Sequence, residues 1–219
     1  MMDEAEARAW VAGECDVPRE TMARLDAFAD SLRAENERQN LVSRGTLDQL
    51  WRRHIADSAQ LLRFTPAGAS WVDLGTGAGF PGLIVAALHD GPVTLVEERR
   101  LRVDFLRRAA EAMGVRVEIL HAKAERVPPR PFDVISARAF APLEKLLSLG
   151  TAFSTQKSLW LLPKGRNAET ELAALGPSWQ GEFRLEPSVT DPEAQIIVAE
   201  GVQRRTDRRA RRAGKDRSR

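Results

Sequence analysis

At 219 residues the chain is long enough for one full-sized α/β domain with a modest extension, and short for two independent catalytic domains. With 43% hydrophobic residues it can bury a sizeable core, and its single cysteine, Cys15, excludes an intramolecular disulfide framework and fits a reducing compartment. The net charge of +2 is unevenly spread: residues 202–219 carry a net of +7, so the other 201 residues sum to about −5.

The first residues, MMDEAEARAW, are acidic and lack the basic and then apolar regions of a signal peptide. No apolar run reaches bilayer-spanning length, so a soluble, cytoplasmic protein without a membrane partner is expected. Met22, Leu25, Phe28, Ala29 and Leu32 recur at helical spacing and predict an amphipathic helix over 19–36. Asn40-Leu-Val-Ser43 interrupts it. Thr46-Leu-Asp-Gln49 reads as a capping box that opens a second helix. The apolar face of that helix carries Leu47, Leu50, Trp51, His54, Ile55, Ser58, Leu61 and Leu62, while Arg53 and Asp57 stand four apart, as in a surface ion pair. Thr65-Pro-Ala-Gly68 ends it, giving a helical extension over 1–66.

From residue 70 short apolar runs alternate with helical segments. Strands are predicted at 71–74, 93–97, 115–120, 132–136 and 159–162, with helices near 81–89, 101–113, 142–151 and 167–175. This alternation implies βαβ units and a mainly parallel sheet. Runs 182–188 and 195–200, joined by a turn at Thr190-Asp-Pro192, predict a terminal antiparallel hairpin. The expected fold over 67–201 is therefore α/β, a Rossmann-like seven-stranded class I methyltransferase sheet following the helical extension. Its ligand should lie across the carboxyl ends of the strands, where strand order reverses. Residues 202–219 form a basic tail, expected to be disordered alone and to contact the phosphates of a polyanion; a solvated terminus without a specific partner is the alternative.

Asp73-Leu-Gly-Thr-Gly-Ala-Gly-Phe-Pro-Gly82 is a glycine-rich turn at the exit of the first strand. Its glycines let the backbone approach a ligand, and Pro81 suits the first turn of a helix whose free N–H groups would face the site. Two registers are open. Gly77 to Gly82 matches the dinucleotide pattern G-x-G-x-x-G. Asp73-x-Gly75-x-Gly77-x-Gly79 begins at the strand exit and suits S-adenosylmethionine, whose sulfonium and amino group an acid such as Asp73 would help to hold. Glu97 ends the second strand 22 residues beyond Gly75, where a carboxylate can accept both ribose hydroxyls, with Glu98 adjacent as a competitor. Ala122-Lys-Ala-Glu125 follows the third strand, beside the place of the adenine ring.

Asn40-Leu-Val-Ser43, Arg53-His54-Ile-Ala-Asp57-Ser58, the glycine turn, Ser136-Ala-Arg138-Ala-Phe140-Ala and Lys164-Gly165 together make the chain resemble one family. It is the bacterial small-subunit ribosomal RNA guanine-N7 methyltransferases known as RsmG or GidB, and the likeness runs from about residue 20 to 200. The resemblance implies methyl transfer from S-adenosylmethionine to N7 of a guanine in small-subunit ribosomal RNA, free or in a ribosomal particle. It implies that Gly75 and Phe80 contact the cofactor, Glu97 holds the ribose, Ala124 and Glu125 surround the adenine, and Arg138 borders cofactor and substrate. The chain departs from the commoner pattern at Phe80, Glu97 and Ala137, where Leu, Asp and Ser are frequent.

In-line methyl transfer needs alignment above all, and guanine N7 loses no proton, so no general base is required. The place after the fourth strand has no Asn/Asp-Pro-Pro-aromatic segment for an exocyclic amine. Cys15 is far from the strand ends, and the histidines and cysteine offer no metal-site spacing. The substrate-side candidates are Arg138, Lys164 and His54. A satisfied core histidine is the usual explanation of His54 on an apolar face, and the resemblance implies a structural or site-lining role for it and not a catalytic one. Phe140 reads as packing or as a stacking platform for a base. An NAD-linked oxidoreductase and a non-catalytic RNA-binding protein acting through the tail are the competing readings.

Overall fold

The computed structural model describes residues 2–205. It opens with α1 (Glu4–Glu14), which the apolar spacing did not predict; only Ala7 and Val11 of this helix are buried. What starts it is a reciprocal cap: Asp3 Oδ1 accepts the Glu6 N–H and Glu6 Oε2 accepts the Asp3 N–H, both at 2.8 Å. The second helix, α2 (Arg19–Asn36), has the expected bounds and buries Met22, Leu25, Phe28, Ala29 and Leu32.

The third helix, α3 (44–64), is composite. It runs through 3-10 turns over Arg44–Gln49, wider π turns over Trp51–Ala56, one α turn at Asp57–Ala59 and 3-10 turns over Gln60–Phe64. The expected capping box at Thr46 does not form. Thr46 already lies inside the first turn, its N–H on the Ser43 carbonyl at 2.9 Å, and its hydroxyl donates to that same carbonyl at 2.9 Å. The cap comes from another helix: the Glu4 carboxylate accepts the N–H of Trp51 at 2.9 Å and of Arg52 at 2.8 Å. Two backbone donors at the change of helical pitch are thereby satisfied.

The strands are β1 (Trp71–Leu74), β2 (Val93–Glu97), β3 (Val117–His121), β4 (Val134–Ser136), β5 (Leu159–Lys164), β6 (Trp179–Pro187) and β7 (Gln195–Arg204). Their spatial order is β3-β2-β1-β4-β5-β7-β6, the first five parallel and β7 antiparallel to both neighbours. This is the expected seven-stranded sheet, and strand order reverses between β1 and β4. Helices α4 (Gly82–Leu88), α5 (Arg100–Met113), α6 (Leu143–Gly150) and α7 (Ala168–Ala173) connect the strands. The start of β3 is two residues later than predicted because the Val115 N–H closes the end of α5 on the Ala110 carbonyl at 3.0 Å.

The β1 strand is buried on both faces and divides the core: Trp71 packs with α2, α4 and α5, and Val72 with α6 and β5. Phe28 of α2 meets Phe80 edge-on at 5.7 Å and Phe105 of α5 at 6.3 Å. The helical extension and one face of the sheet thus share a single apolar cluster. At the other end β7 continues past Glu200. Val202 is buried, and Gln203 and Arg204 pair with Gln180 and Trp179, so the first residues assigned to the basic tail belong to the sheet. Trp179 is the reason, covering Val202's side of the sheet and lying 5.8 Å from the Arg204 guanidinium. The remainder of that expected tail, 206–219, lies outside the described residues. No helix among the described residues is long and apolar enough to cross a membrane.

Candidate functional site

The turn after β1 is built on left-handed glycines. Gly75, Gly77 and Gly79, the glycines of the register that begins at the strand exit, have φ of +68°, +60° and +99°. Gly82 is needed for a different reason: a Cβ there would lie 2.1 Å from Cδ2 of Leu95. The Gly82 N–H is not free to face a ligand, because it donates to Asp73 Oδ2 at 3.0 Å. Asp73 itself departs from expectation. It has no exposed surface, and its Oδ1 accepts the Ser136 hydroxyl at 2.8 Å, which in turn accepts Trp71 Nε1–H at 2.8 Å. The carboxylate braces the turn from beneath. Burial pushes its pKa above the usual carboxylate range, against the pull of the surrounding donors and the Arg138 charge.

Glu97 closes the other side of the turn. It is 3% exposed and accepts the Gly77 N–H at 3.0 Å and the Arg99 N–H at 2.8 Å. Glu98 is exposed and faces Lys123 at 3.9 Å, so of the two acids Glu97 alone adjoins the turn. Arg102, which the sequence reading missed, stands beside it with Nη1 3.8 Å from Glu97 Oε2. Its signal was one turn into the helix that follows the strand-end acid. Ala124 is buried in a short 3-10 turn (Ala124–Arg126) and Glu125 is exposed, both on the β3 side. The Thr76 hydroxyl is buried close to Asp73 yet makes no hydrogen bond of normal geometry. A buried hydroxyl so loosely held inside the turn fits a polar ligand seated there.

Beyond the turn a cleft of about 970 Å³ opens between α3, the loop after β4, the end of β5 and the β6–β7 turn. Arg138 forms one wall. Its Nη1 donates to the Arg53 carbonyl at 3.0 Å and to Asp57 Oδ2 at 3.4 Å, its Nη2 donates to His54 Nδ1 at 2.8 Å, and its guanidinium carbon lies 5.0 Å from the Phe80 ring centre. Its Nε–H makes no hydrogen bond among the described residues. Asp57 Oδ1 also accepts Gln60 Nε2–H at 2.8 Å and the Thr190 hydroxyl at 3.1 Å. Burial raises its pKa and the Arg138 charge opposes that rise.

The expected Arg53–Asp57 surface pair is absent. Arg53 binds Asp191 at 2.8 Å and Asp57 turns inward to Arg138, each finding a partner on another element. His54 lines the cleft, but neither ring nitrogen is free for a substrate: Nδ1 meets Arg138, Nε2 lies 3.0 Å from Thr46 Oγ1, and the ring stacks on Phe80 at 4.9 Å. Lys164, also expected at the rim, reaches Glu171 at 2.8 Å and the Ala141 carbonyl at 3.3 Å. Glu171 accepts the Leu143 N–H at 3.0 Å, so this pair pins the 139–142 loop. That loop presents Phe140 to Gly75. Arg138, His54 and Lys164 thus line one cleft, whereas Asp73, Gly75, Gly77, Gly79, Phe80, Glu97, Ala124 and Glu125 take no part in its lining, Phe80 meeting it only through its contacts with His54 and Arg138.

The sheet order, the left-handed glycine turn and the strand-end acid define a Rossmann-like class I methyltransferase. The fold is shared with a TehB-like SAM-dependent methyltransferase from Corynebacterium glutamicum (TM-score 0.55, 14% identity, 77% of this chain and 98% of that one). It is shared also with MtNAS solved in complex with S-adenosylmethionine (TM-score 0.57, 14% identity, 91% and 84%). The family model GidB, described as rRNA small subunit methyltransferase G, matches residues 21–194. Proteins named ribosomal RNA small subunit methyltransferase G from Zymomonas mobilis and Rhizorhabdus wittichii are each 53% identical, over 207 and 209 residues. The alignments cover 90% of this chain and 94% of the first relative, and 93% of this chain and 95% of the second. The chain belongs to the rRNA small subunit methyltransferase G family.

Proposed function

We propose that this chain transfers a methyl group from S-adenosylmethionine to N7 of a guanine in small-subunit ribosomal RNA, in the cytoplasm. The observation that carries the reading is the family match over 21–194, a span that contains both the glycine turn and the cleft beside it. When bound, S-adenosylmethionine supplies an electrophilic methyl carried on a sulfonium. Gly75, Gly77 and Gly79 give it a floor without side chains, and Phe80 stands behind them. Glu97 accepts from the ribose, Ala124 and Glu125 border the adenine, and the Thr76 hydroxyl serves the amino-acid part.

On the substrate side the chain needs to orient a base and leave its nucleophile alone. Arginine commonly takes both O6 and N7 of guanine. Here N7 must keep its lone pair, so Arg138 acts on O6 or on a phosphate, through Nε–H and the second Nη2–H, which engage no partner among the described residues. His54 and Asp57 are both occupied by protein partners, which suits a nucleophile that releases no proton. Catalysis then rests on alignment. The basic tail beyond the sheet residues 202–204 adds phosphate contacts, measurable as a shallower salt dependence of RNA binding once 206–219 are removed.

Nucleoside mass spectrometry of ribosomal RNA from a deletion strain tests the reading. One 7-methylguanosine is expected to disappear from the small subunit and to return with a plasmid-borne copy. An unchanged level overturns the assignment.

A further inference from the structure

We propose that His54 is a positioning residue for Arg138: held as its Nε2–H tautomer, it offers Nδ1 as an acceptor to the guanidinium and fixes that cation where the cleft meets the glycine turn. The inference rests on the substrate-side role given to Arg138 above and assigns the residue through which α3 controls it.

The hydrogen-bond polarity leaves one arrangement. A guanidinium has five N–H donors and no acceptor. Nδ1 of His54, 2.8 Å from Arg138 Nη2, must therefore carry a lone pair. The proton of the neutral ring then sits on Nε2 and is donated to Thr46 Oγ1 at 3.0 Å. That hydroxyl passes its own hydrogen to the Ser43 carbonyl at 2.9 Å. The chain Arg138 to His54 to Thr46 to Ser43 runs in one direction and ends on backbone. A second proton on the imidazole would set N–H against N–H beside a buried cation. The groups facing the ring agree: Arg138 from the loop after β4, Arg53 on α3 itself and the uncharged face of Phe80, with Asp57 committed to Arg138, Gln60 and Thr190. Burial and the two arginine charges lower the His54 pKa from 6.5 to about 3, so the ring is neutral throughout the working range.

Position matters as much as polarity. The imidazole stacks on Phe80 at 4.9 Å with 21° between the planes, and the guanidinium lies 5.0 Å from the same ring. Phe80 belongs to the glycine turn. His54 therefore registers Arg138 against the cofactor side while the Arg53 carbonyl and Asp57 hold its Nη1 edge.

Three substitutions separate the roles of the ring. Asparagine places an amide oxygen close to Nδ1 and keeps the acceptor, glutamine reaches Nε2 and keeps only the outer contact to Thr46, and phenylalanine keeps the stacking without either. The assay is methyl transfer to small subunits from the deletion strain, with adenosylhomocysteine affinity and melting temperature measured in parallel. H54Q and H54F are expected to lose at least about tenfold in kcat/KM for the RNA, with adenosylhomocysteine affinity within about threefold of wild type, and H54N to recover most of the loss. In an Arg138→Met background the same changes should cost nothing further. Wild-type kcat/KM in H54Q and H54F, or equal added losses in the Arg138→Met background, would overturn the proposal. Nitrogen-15 NMR of the imidazole tests the contact independently of activity. An unprotonated Nδ1 and a protonated Nε2 from pH 5 to 8 are expected, and the opposite tautomer or a titration near 6.5 refutes the arrangement even where methylation is observed. Should wild type methylate nothing, the functional reading fails and the NMR result still judges the contact.

Discussion

Gly75 and Phe140 touch across the mouth of the glycine turn: a Cβ added at residue 75 would lie 2.2 Å from Cδ2 of the Phe140 ring. The backbone there is left-handed, so any side chain is strained as well as obstructed. Gly75→Asp adds a charge beside the buried acids of the turn. Calorimetry with adenosylhomocysteine should show affinity reduced at least about 100-fold, corresponding to roughly 3 kcal/mol. Retained affinity would mean that the ligand does not rest on this residue.

Glu97 is predicted to act on the cofactor in two ways, as an acceptor for a ligand and as the acceptor that orients the Gly77 and Arg99 N–H groups. Removing a charged hydrogen-bonding group costs on the order of 1.5–3 kcal/mol. E97A should therefore weaken adenosylhomocysteine by about 10- to 100-fold. E97Q, which retains one carbonyl oxygen, should fall between E97A and wild type in the same titration.

Away from the site, Glu4 joins α1 to α3 through the Trp51 and Arg52 N–H groups. E4A leaves two partly buried donors without an acceptor, at a cost of about 2 kcal/mol. For a domain of this size the melting temperature should drop by about 4–8 °C. Methyl transfer at 20 °C should be unchanged, because Glu4 touches nothing in the cleft.

Acid should expose the neutral state of His54. In the folded protein its pKa lies at about 3, below the 6.5 of an unperturbed imidazole, so the unfolded chain binds more protons between those values. The stability this provides is complete above pH 6.5 and declines as the pH falls towards 3. Across the two units from 6.5 to 4.5 the decline is roughly 2–3 kcal/mol. Urea unfolding of wild type and H54N at both pH values isolates it: the wild-type advantage should shrink at pH 4.5, and a difference independent of pH would contradict the assignment.

The strands and the glycine turn were legible because their signals are local. Trp71–Leu74 and Val93–Glu97 are short runs buried along their whole length, and both have the predicted bounds. Helix α2 was equally clear from its apolar spacing. Helix α1 was not, since two buried residues make too thin a stripe and only the Asp3–Glu6 cap announced it. The pitch changes of α3 had no sequence signal, because Glu4 and Arg138 reach it from other elements. The same holds in the site. Gly75 and Glu97 could be placed from strand ends, but the His54–Arg138 and Asp57–Arg138 contacts join positions 84 and 81 residues apart. Without those partners a histidine on an apolar face and an i, i+4 pair on a helix look ordinary, and Arg53 and Asp57 were matched to each other instead of to Asp191 and Arg138.

The placement of β7 between β5 and β6 sets an order for assembly during synthesis. The five parallel strands can close over local βαβ connections as they leave the ribosome. β6, made next, has no edge to join, since its one sheet partner among the described residues is β7. Until residues 195–204 arrive, β5 presents an open edge and the apolar side chains of β6 have no strand to cover them. A nascent chain stalled before residue 195 should therefore be the species most prone to wrong edge pairing and to capture by chaperones.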